Sequence, residues 1–228
     1  MSLTMYNPQW GAERPIRGVL FDMDGLIVDT EKYYTRFWQE AAACYGFTMT
    51  PEQSLKMRGL GSKAGVDMIH SFFGPQGNYF QLRAKRIQLM EAHLSRHPVE
   101  AKPGIGELLT ALEARGIAAA VTSSSPRERI ERYLTGLGLY HRFQKICSGR
   151  ELANGKPAPD IYLLGAETLG LDPGECLALE DAPSGLLSAY RAGCLPVMIP
   201  DLSLPDETTL PLLYAKADTL ADVIQLLP

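Results

Sequence analysis

Apolar positions along the chain follow two rhythms. Short unbroken apolar runs that stop at a polar or acidic residue alternate with helical stripes in most of the sequence, while one long stretch carries stripes alone. The first run, Arg17-Gly-Val-Leu-Phe21, ends at Asp22, as a buried parallel strand would. From about residue 30 to residue 97 the spacing is helical. Tyr34, Phe37, Trp38, Ala41 and Tyr45 recur at intervals of three and four, with Gly46 as a stop. Thr50-Pro-Glu-Gln53 reads as a capping box with proline at the first helical position. A third helix is predicted from Ser62 through Val66, Ile69 and Phe73 to Gly74, and a fourth from about Tyr79 to Arg96, closed by Pro98.

Beyond Pro103 the two periods alternate. Ile105, Leu108, Leu109 and Leu112 form a stripe ending at Gly116, and Ile117 to Thr122 is a strand opening into Ser123-Ser-Ser125. Ser125-Pro-Arg-Glu128 reads as a capping box for the helix through Ile130, Tyr133 and Leu134. Then come Lys145 to Ser148, a helix from Pro159 to Leu169, Cys176 to Glu180, a helix from Ser184 to Ala192, and Val197 to Ile199. Such alternation specifies a parallel α/β sheet whose ligands gather outside the carboxyl ends of the strands. The expected organisation is a core of residues 1–29 and 103–228 with an inserted all-helical domain at 30–102.

Composition changes this picture little. At 46% hydrophobic and 21% charged, the 228 residues can build a core. A net charge of -4 supplies no cationic field for nucleic acid, which is not an expected partner. Apolar runs of about five residues fall far below the ~18 to 20 that cross a bilayer, so no membrane is expected and the protein reads as cytoplasmic. Cys44, Cys147, Cys176 and Cys194 lack CxxC pairing and are read as buried free thiols. His70, His93, His97 and His141 show no ligand spacing.

The chemistry stands at the strand ends. Strand one delivers Asp22 and Asp24, the next Ser123, a later loop Lys156, and a later strand Glu180 and Asp181. Four carboxylates converging on one edge repel by ~4 kcal/mol per close pair at an effective dielectric of ~20, so the cluster calls for a cation. Oxygen donors without His or Cys select Mg²⁺, which keeps positions open for water and a substrate phosphate. Asp22, at the end of a rigid strand, is the candidate nucleophile toward phosphorus. Asp24, followed by Gly25, is the candidate acid and base. The Ser123 hydroxyl with adjacent backbone N–H groups, and the Lys156 ammonium, would bind the charged oxygens of the transferring group.

Phe21-Asp-Met-Asp-Gly25, Thr122-Ser123, Lys156 in Gly-Lys-Pro-x-Pro-Asp, and Leu179-Glu-Asp-Ala-Pro-Ser-Gly185 resemble, in order and spacing, the four motifs of the haloacid dehalogenase superfamily of Mg²⁺-dependent phosphotransferases. The resemblance covers essentially the whole chain. It implies a Rossmann-like core, a helical cap inserted after the first strand, and an aspartyl-phosphate mechanism. It also implies Asp22, Asp181 and the Asp24 carbonyl as metal ligands, with Glu180 bound directly or through water. Thr122, Ser123 and Ser124 all carry hydroxyls at motif two; counting seven residues from Gly116 selects Ser123, with Thr122 as the alternative. Within the superfamily the sequence resembles the β-phosphoglucomutase-like branch, and Phe21 to Glu40 resembles pseudouridine-5′-phosphatases and sugar-phosphate phosphatases.

The expected substrate is therefore a small phosphorylated metabolite, contacted by Gly25 and Ser124 from the core and by Tyr34 and Lys63 from the cap. Asp29 and Thr30 are expected to cap the first cap helix. The protein is expected to be a monomer or weak homo-oligomer. A sugar phosphomutase is the alternative reading, since it uses the same intermediate. In Arg58-Gly-Leu-Gly-Ser-Lys63 the mutase's cap arginine is matched by Ser62, and Tyr34 stands where mutases carry a histidine. Both differences favour hydrolysis. A receiver domain would be about half this length, and an inactive binding module would not need the full set of acids, hydroxyl and lysine.

Overall fold

A computed structural model describes residues 2–11, 15–57, 60 and 62–228. The chain divides into two compact units, Met1–Asp29 with Glu100–Pro228, and Thr30–Val99.

The first unit is built on a seven-stranded sheet. Its strands are β1 (Leu3–Met5), β2 (Gly18–Phe21), β3 (Ala118–Ser123), β4 (Lys145–Ser148), β5 (Cys176–Glu180), β6 (Leu195–Met198) and β7 (Ala215–Ala217). The order is β1-β7-β6-β5-β2-β3-β4, parallel throughout except for β1, which runs antiparallel to β7. β2 lies between β3 and β5 and every one of its residues is buried, which is why it reads as an unbroken apolar run. Leu20 packs with Ala120, Ala178, Ile161, Tyr162, Ala166 and Ala189 on one face. Phe21, pointing the other way, meets the Phe143 ring edge-on at 5.5 Å.

The boundary on the return to this unit falls between Val99 and Glu100, three residues before the sequence-based one. Backbone pairing explains the shift: Asp29 N–H donates to the Glu100 carbonyl (2.9 Å), Lys102 N–H donates to the Ile27 carbonyl (2.8 Å), and Val28 bridges to Ala101.

Among the described residues, the second unit contains four helices, α1 (Glu31–Ala43), α2 (Pro51–Lys56), α3 (Ser62–Phe73) and α4 (Tyr79–Leu94). Trp38, Ala42, Met49, Met57, Ile69, Phe73, Tyr79 and Leu82 form its core, with Trp38 stacked on Tyr79 and Phe47 on Phe73. The Thr50–Gln53 capping box forms as expected: the Thr50 side chain accepts from Gln53 N–H, and the Gln53 side chain accepts from Thr50 N–H. Tyr45 departs from the predicted stripe and is exposed, because α1 ends at Ala43. Thr30 is buried at the start of α1 without capping it through its side chain. Asp29 instead lies 3.8 Å from Lys102 Nζ.

Returning to the first unit, α5 (Ile105–Arg115), α6 (Arg127–Gly136), α7 (Asp160–Leu169) and α8 (Pro183–Ala192) complete the alternation. Cys147, Cys176 and Cys194 are buried free thiols, and burial pushes the Cys176 thiol up to about 12. Cys44 is exposed, contrary to expectation, since it lies just past the end of α1. Among the described residues no helix is long and apolar enough to cross a membrane.

Candidate active site

Register alone assembles most of the site. Phe21 is level with Val121 on β3 and with Leu179 on β5, so the next residues, Asp22 just past the end of β2, Thr122 on β3 and Glu180 on β5, stand at one height. Ser123 and Ser148 form the following pair on β3 and β4. Parallel strands sharing one register deliver their last side chains to one edge, as the alternation of the sequence requires.

Lys156 reaches this edge from the loop before α7. Its Nζ lies 2.6 Å from Asp22 Oδ1 and 2.6 Å from Glu180 Oε1, and donates to the Thr122 carbonyl at 3.3 Å. Burial disfavours the ammonium, but Asp22 and Glu180 outweigh it and raise the Lys156 pKa. The Asp22 pKa is raised as well: desolvation lifts it to about 7, against the pull of Lys156 and with the repulsion of Glu180 added.

Glu180 is 1% exposed and is held from several sides. Oε1 accepts from Lys156 and from the Tyr162 hydroxyl at 2.6 Å, while Oε2 accepts from Ala182 N–H at 3.4 Å. A Cβ at position 185 would overlap the Glu180 carboxylate, which accounts for glycine in the Glu-Asp-Ala-Pro-Ser-Gly run. The Tyr162 contact was not legible in the sequence, since nothing local distinguishes that tyrosine from a core aromatic.

Asp22, Glu180 and Asp181 each offer a carboxylate oxygen within 4.8 Å of the others, and all three are buried. Three carboxylates are set against one ammonium, an excess of acidic groups that also lifts Asp22, and the donors are oxygen only. That set, with no His or Cys donor, fits a hard divalent cation such as Mg²⁺ better than zinc. Asp24 lies outside this carboxylate group; its side chain accepts from the Ser125 hydroxyl at 2.8 Å.

The two hydroxyl candidates separate. Thr122 Oγ1 donates to the Phe21 carbonyl across the strands at 3.2 Å. Ser123 Oγ, at the strand end, accepts from Ser125 N–H at 3.1 Å, which leaves its own proton to donate. Ser125 corrects the sequence reading: α6 starts at Arg127 with Pro126 in the cap position and no side-chain cap bond, so Ser125 does not cap it.

Of the remaining predicted residues, Gly25 and Ser124 belong to the first unit and Tyr34 and Lys63 to the second. Gly25 takes φ 86°, and its N–H donates to the Val28 carbonyl at 2.9 Å, so it shapes the turn after β2 and its amide is already engaged. Ser124 is exposed at the end of β3. In the second unit, Tyr34 donates its hydroxyl to the Met57 carbonyl at 3.0 Å, with the Arg86 guanidinium 4.8 Å over its ring. Lys63 is exposed in the first turn of α3. Arg58, Gly59 and Gly61, part of the stretch compared with mutases, lie outside the described residues.

The haloacid dehalogenase-like hydrolase family matches residues 19–199. Hexitol phosphatase A of Escherichia coli (strain K12) is 37% identical over 78% of this chain and 80% of its own. β-Phosphoglucomutase of Bacillus subtilis (strain 168) is 29% identical over 80% and 82%. The crystal structure of CbbY from Rhodobacter sphaeroides in complex with phosphate superposes with a TM-score of 0.74 at 25% identity, covering 91% of this chain and 96% of that one. The chain therefore belongs to the haloacid dehalogenase-like hydrolase family, in the branch that holds phosphatases and β-phosphoglucomutases.

Proposed function

We propose that this phosphoric monoester hydrolase is a Mg²⁺-dependent phosphatase that hydrolyses a small phosphorylated metabolite, a sugar phosphate or a nucleoside or pseudouridine monophosphate, through an aspartyl-phosphate. One observation carries the reading: at the carboxyl edge of the sheet a single ammonium bridges Asp22 and Glu180 at 2.6 Å each, within an oxygen-only group of carboxylates that Asp181 completes.

In the first half-reaction an Asp22 oxygen bonds to phosphorus as the bond from phosphorus to the leaving oxygen breaks, and Asp24 gives its proton to that oxygen. In the second, Asp24 takes a proton from water as the water oxygen bonds to phosphorus and the Asp22–phosphorus bond breaks, releasing inorganic phosphate. Ser123 Oγ–H and Lys156 Nζ hold the equatorial oxygens. Asp22 and Asp181 would ligate Mg²⁺, with the Asp24 carbonyl and Glu180 as further ligands. The cation would supply neutralisation of the carboxylates and of the phosphoryl charge.

Phosphomutase action is the second reading, favoured by the β-phosphoglucomutase relative. A mutase must grip a second phosphate. Lys63 offers a point charge in place of an arginine's bidentate fork, so that grip is weakened and hydrolysis is the expected outcome. The experiment measures phosphate release across sugar and nucleotide monophosphates with Mg²⁺ and with EDTA. It includes β-glucose 1-phosphate with a trace of the 1,6-bisphosphate. Release that requires Mg²⁺ is expected. Glucose 6-phosphate forming faster than inorganic phosphate would overturn the phosphatase reading.

A further inference from the structure

Ser125 closes the turn between β3 and α6, and three hydrogen bonds fix it. Its N–H donates to Ser123 Oγ at 3.1 Å, its carbonyl accepts from Ser148 Oγ at 2.8 Å, and its hydroxyl donates to Asp24 Oδ2 at 2.8 Å. Ser148 is fully buried and Ser125 is 6% exposed, so the two bonds that fix the Ser125 backbone are shielded from competing water, while the bond to Asp24 is half-buried. The third bond joins residues 101 positions apart and ties the loop after β2 to the loop after β3. A helix-capping role would have explained this serine without reference to the site. No such cap forms, and the hydroxyl turns instead to the carboxylate.

We propose that Ser125 is a positioning residue for Asp24, holding its carboxyl group in one orientation throughout the transfer of the proton. The proposal rests on the reading of Asp24 as the proton-exchanging group. That group must be held both when it carries the proton and when it does not. An ammonium or guanidinium can only donate, and so would favour one form. A hydroxyl donates to a carboxylate and, after rotating about its Cβ–Oγ bond, accepts from a carboxylic acid. The two backbone bonds of Ser125 keep its Cβ in place while the hydroxyl turns. Ser125 itself touches no reacting atom in this scheme; it acts through Asp24.

The test compares wild type, Ser125→Ala and Ser125→Thr on two substrates. One is a sugar phosphate, whose alkoxide leaving group needs a proton. The other is p-nitrophenyl phosphate, whose phenolate leaves without one. Since kcat/KM reports events up to the first irreversible step, it isolates the step in which Asp24 acts as acid. Ser125→Ala is expected to lower kcat/KM for the sugar phosphate by about tenfold, the effect of losing one hydrogen bond to a charged group, with the fall in kcat and not in KM. It should leave p-nitrophenyl phosphate within about twofold, and Ser125→Thr should restore most of the loss. A purely structural role would depress both substrates alike, and that result, or no loss on either, overturns the proposal. Should Ser125→Ala fail to fold, Ser125→Cys keeps the volume and is judged by the same ratio. Asp24→Asn serves as the control. If it too fails to separate the substrates, the reading of Asp24 as the acid falls; if it separates them and Ser125→Ala does not, only the role given to Ser125 falls.

Discussion

Asp22 and Glu180 stand on neighbouring strands and share Lys156, and most of the chemistry follows from that triad. Asp22→Asn removes the nucleophile and a candidate metal ligand at nearly constant volume, so turnover should vanish while circular dichroism and melting stay close to wild type. Asp24→Asn should lower kcat by ~10² to 10⁴ on a sugar phosphate, the usual contribution of a general acid and base. A near-normal rate in either variant would contradict the roles given to them. Tyr162→Phe deletes one donor to a carboxylate that is 1% exposed, at a cost of about 1–3 kcal/mol in stability. Denaturant unfolding of that variant reads the cost directly. The acids, Ser123 and Lys156 were legible in the sequence because each ends a strand or sits in a loop beside one. Tyr162 and Ser125 were not: their partners lie 18 and 101 residues away, and no local pattern encodes such bonds.

Helices α1 to α8 were legible to within a few residues, because their stripes and boundary signals are local. The Thr50-Pro-Glu-Gln53 box is the clearest case, predicted from four letters and formed as written. Thr50→Ala removes the side chain that accepts from Gln53 N–H and should destabilise the helical unit by about 1 kcal/mol. Urea unfolding followed by tryptophan fluorescence checks this, since Trp38 belongs to that unit's core; an unchanged midpoint would contradict it. Strands β1 and β7 escaped the sequence reading, being three residues each, too short for any periodicity. Ser125-Pro-Arg-Glu128 misled for a different reason. It carries the letters of a capping box, but the site competes for the serine hydroxyl, and Asp24 holds it.

Across the whole molecule, the parallel sheet brings like charges from β2 and β5 to one edge, where Lys156 offsets only part of them. Burial raises Asp22 to about 7, so below that pH a proton competes with a divalent cation for the same oxygen. Mg²⁺ affinity, measured by calorimetry at pH 6, 7 and 8, should therefore weaken by up to about tenfold per unit below pH 7 and level off above it. An affinity independent of pH would contradict this linkage. The insertion of an all-helical unit into the sheet-bearing one was legible from the change of rhythm near residue 30; its return was read three residues late because the pairing of 27–29 with 100–102 leaves no local signature. The central claim, that hydrolysis proceeds through a phosphate ester on Asp22, is tested most directly by acid quenching. The protein would be quenched during turnover of a ³²P-labelled sugar phosphate with Mg²⁺, and its peptides mapped. Label on the peptide carrying Asp22, lost on a chase with unlabelled substrate as inorganic phosphate appears, is the predicted result. Full turnover with no label on that peptide in wild type, or undiminished turnover in Asp22→Asn, would contradict the account.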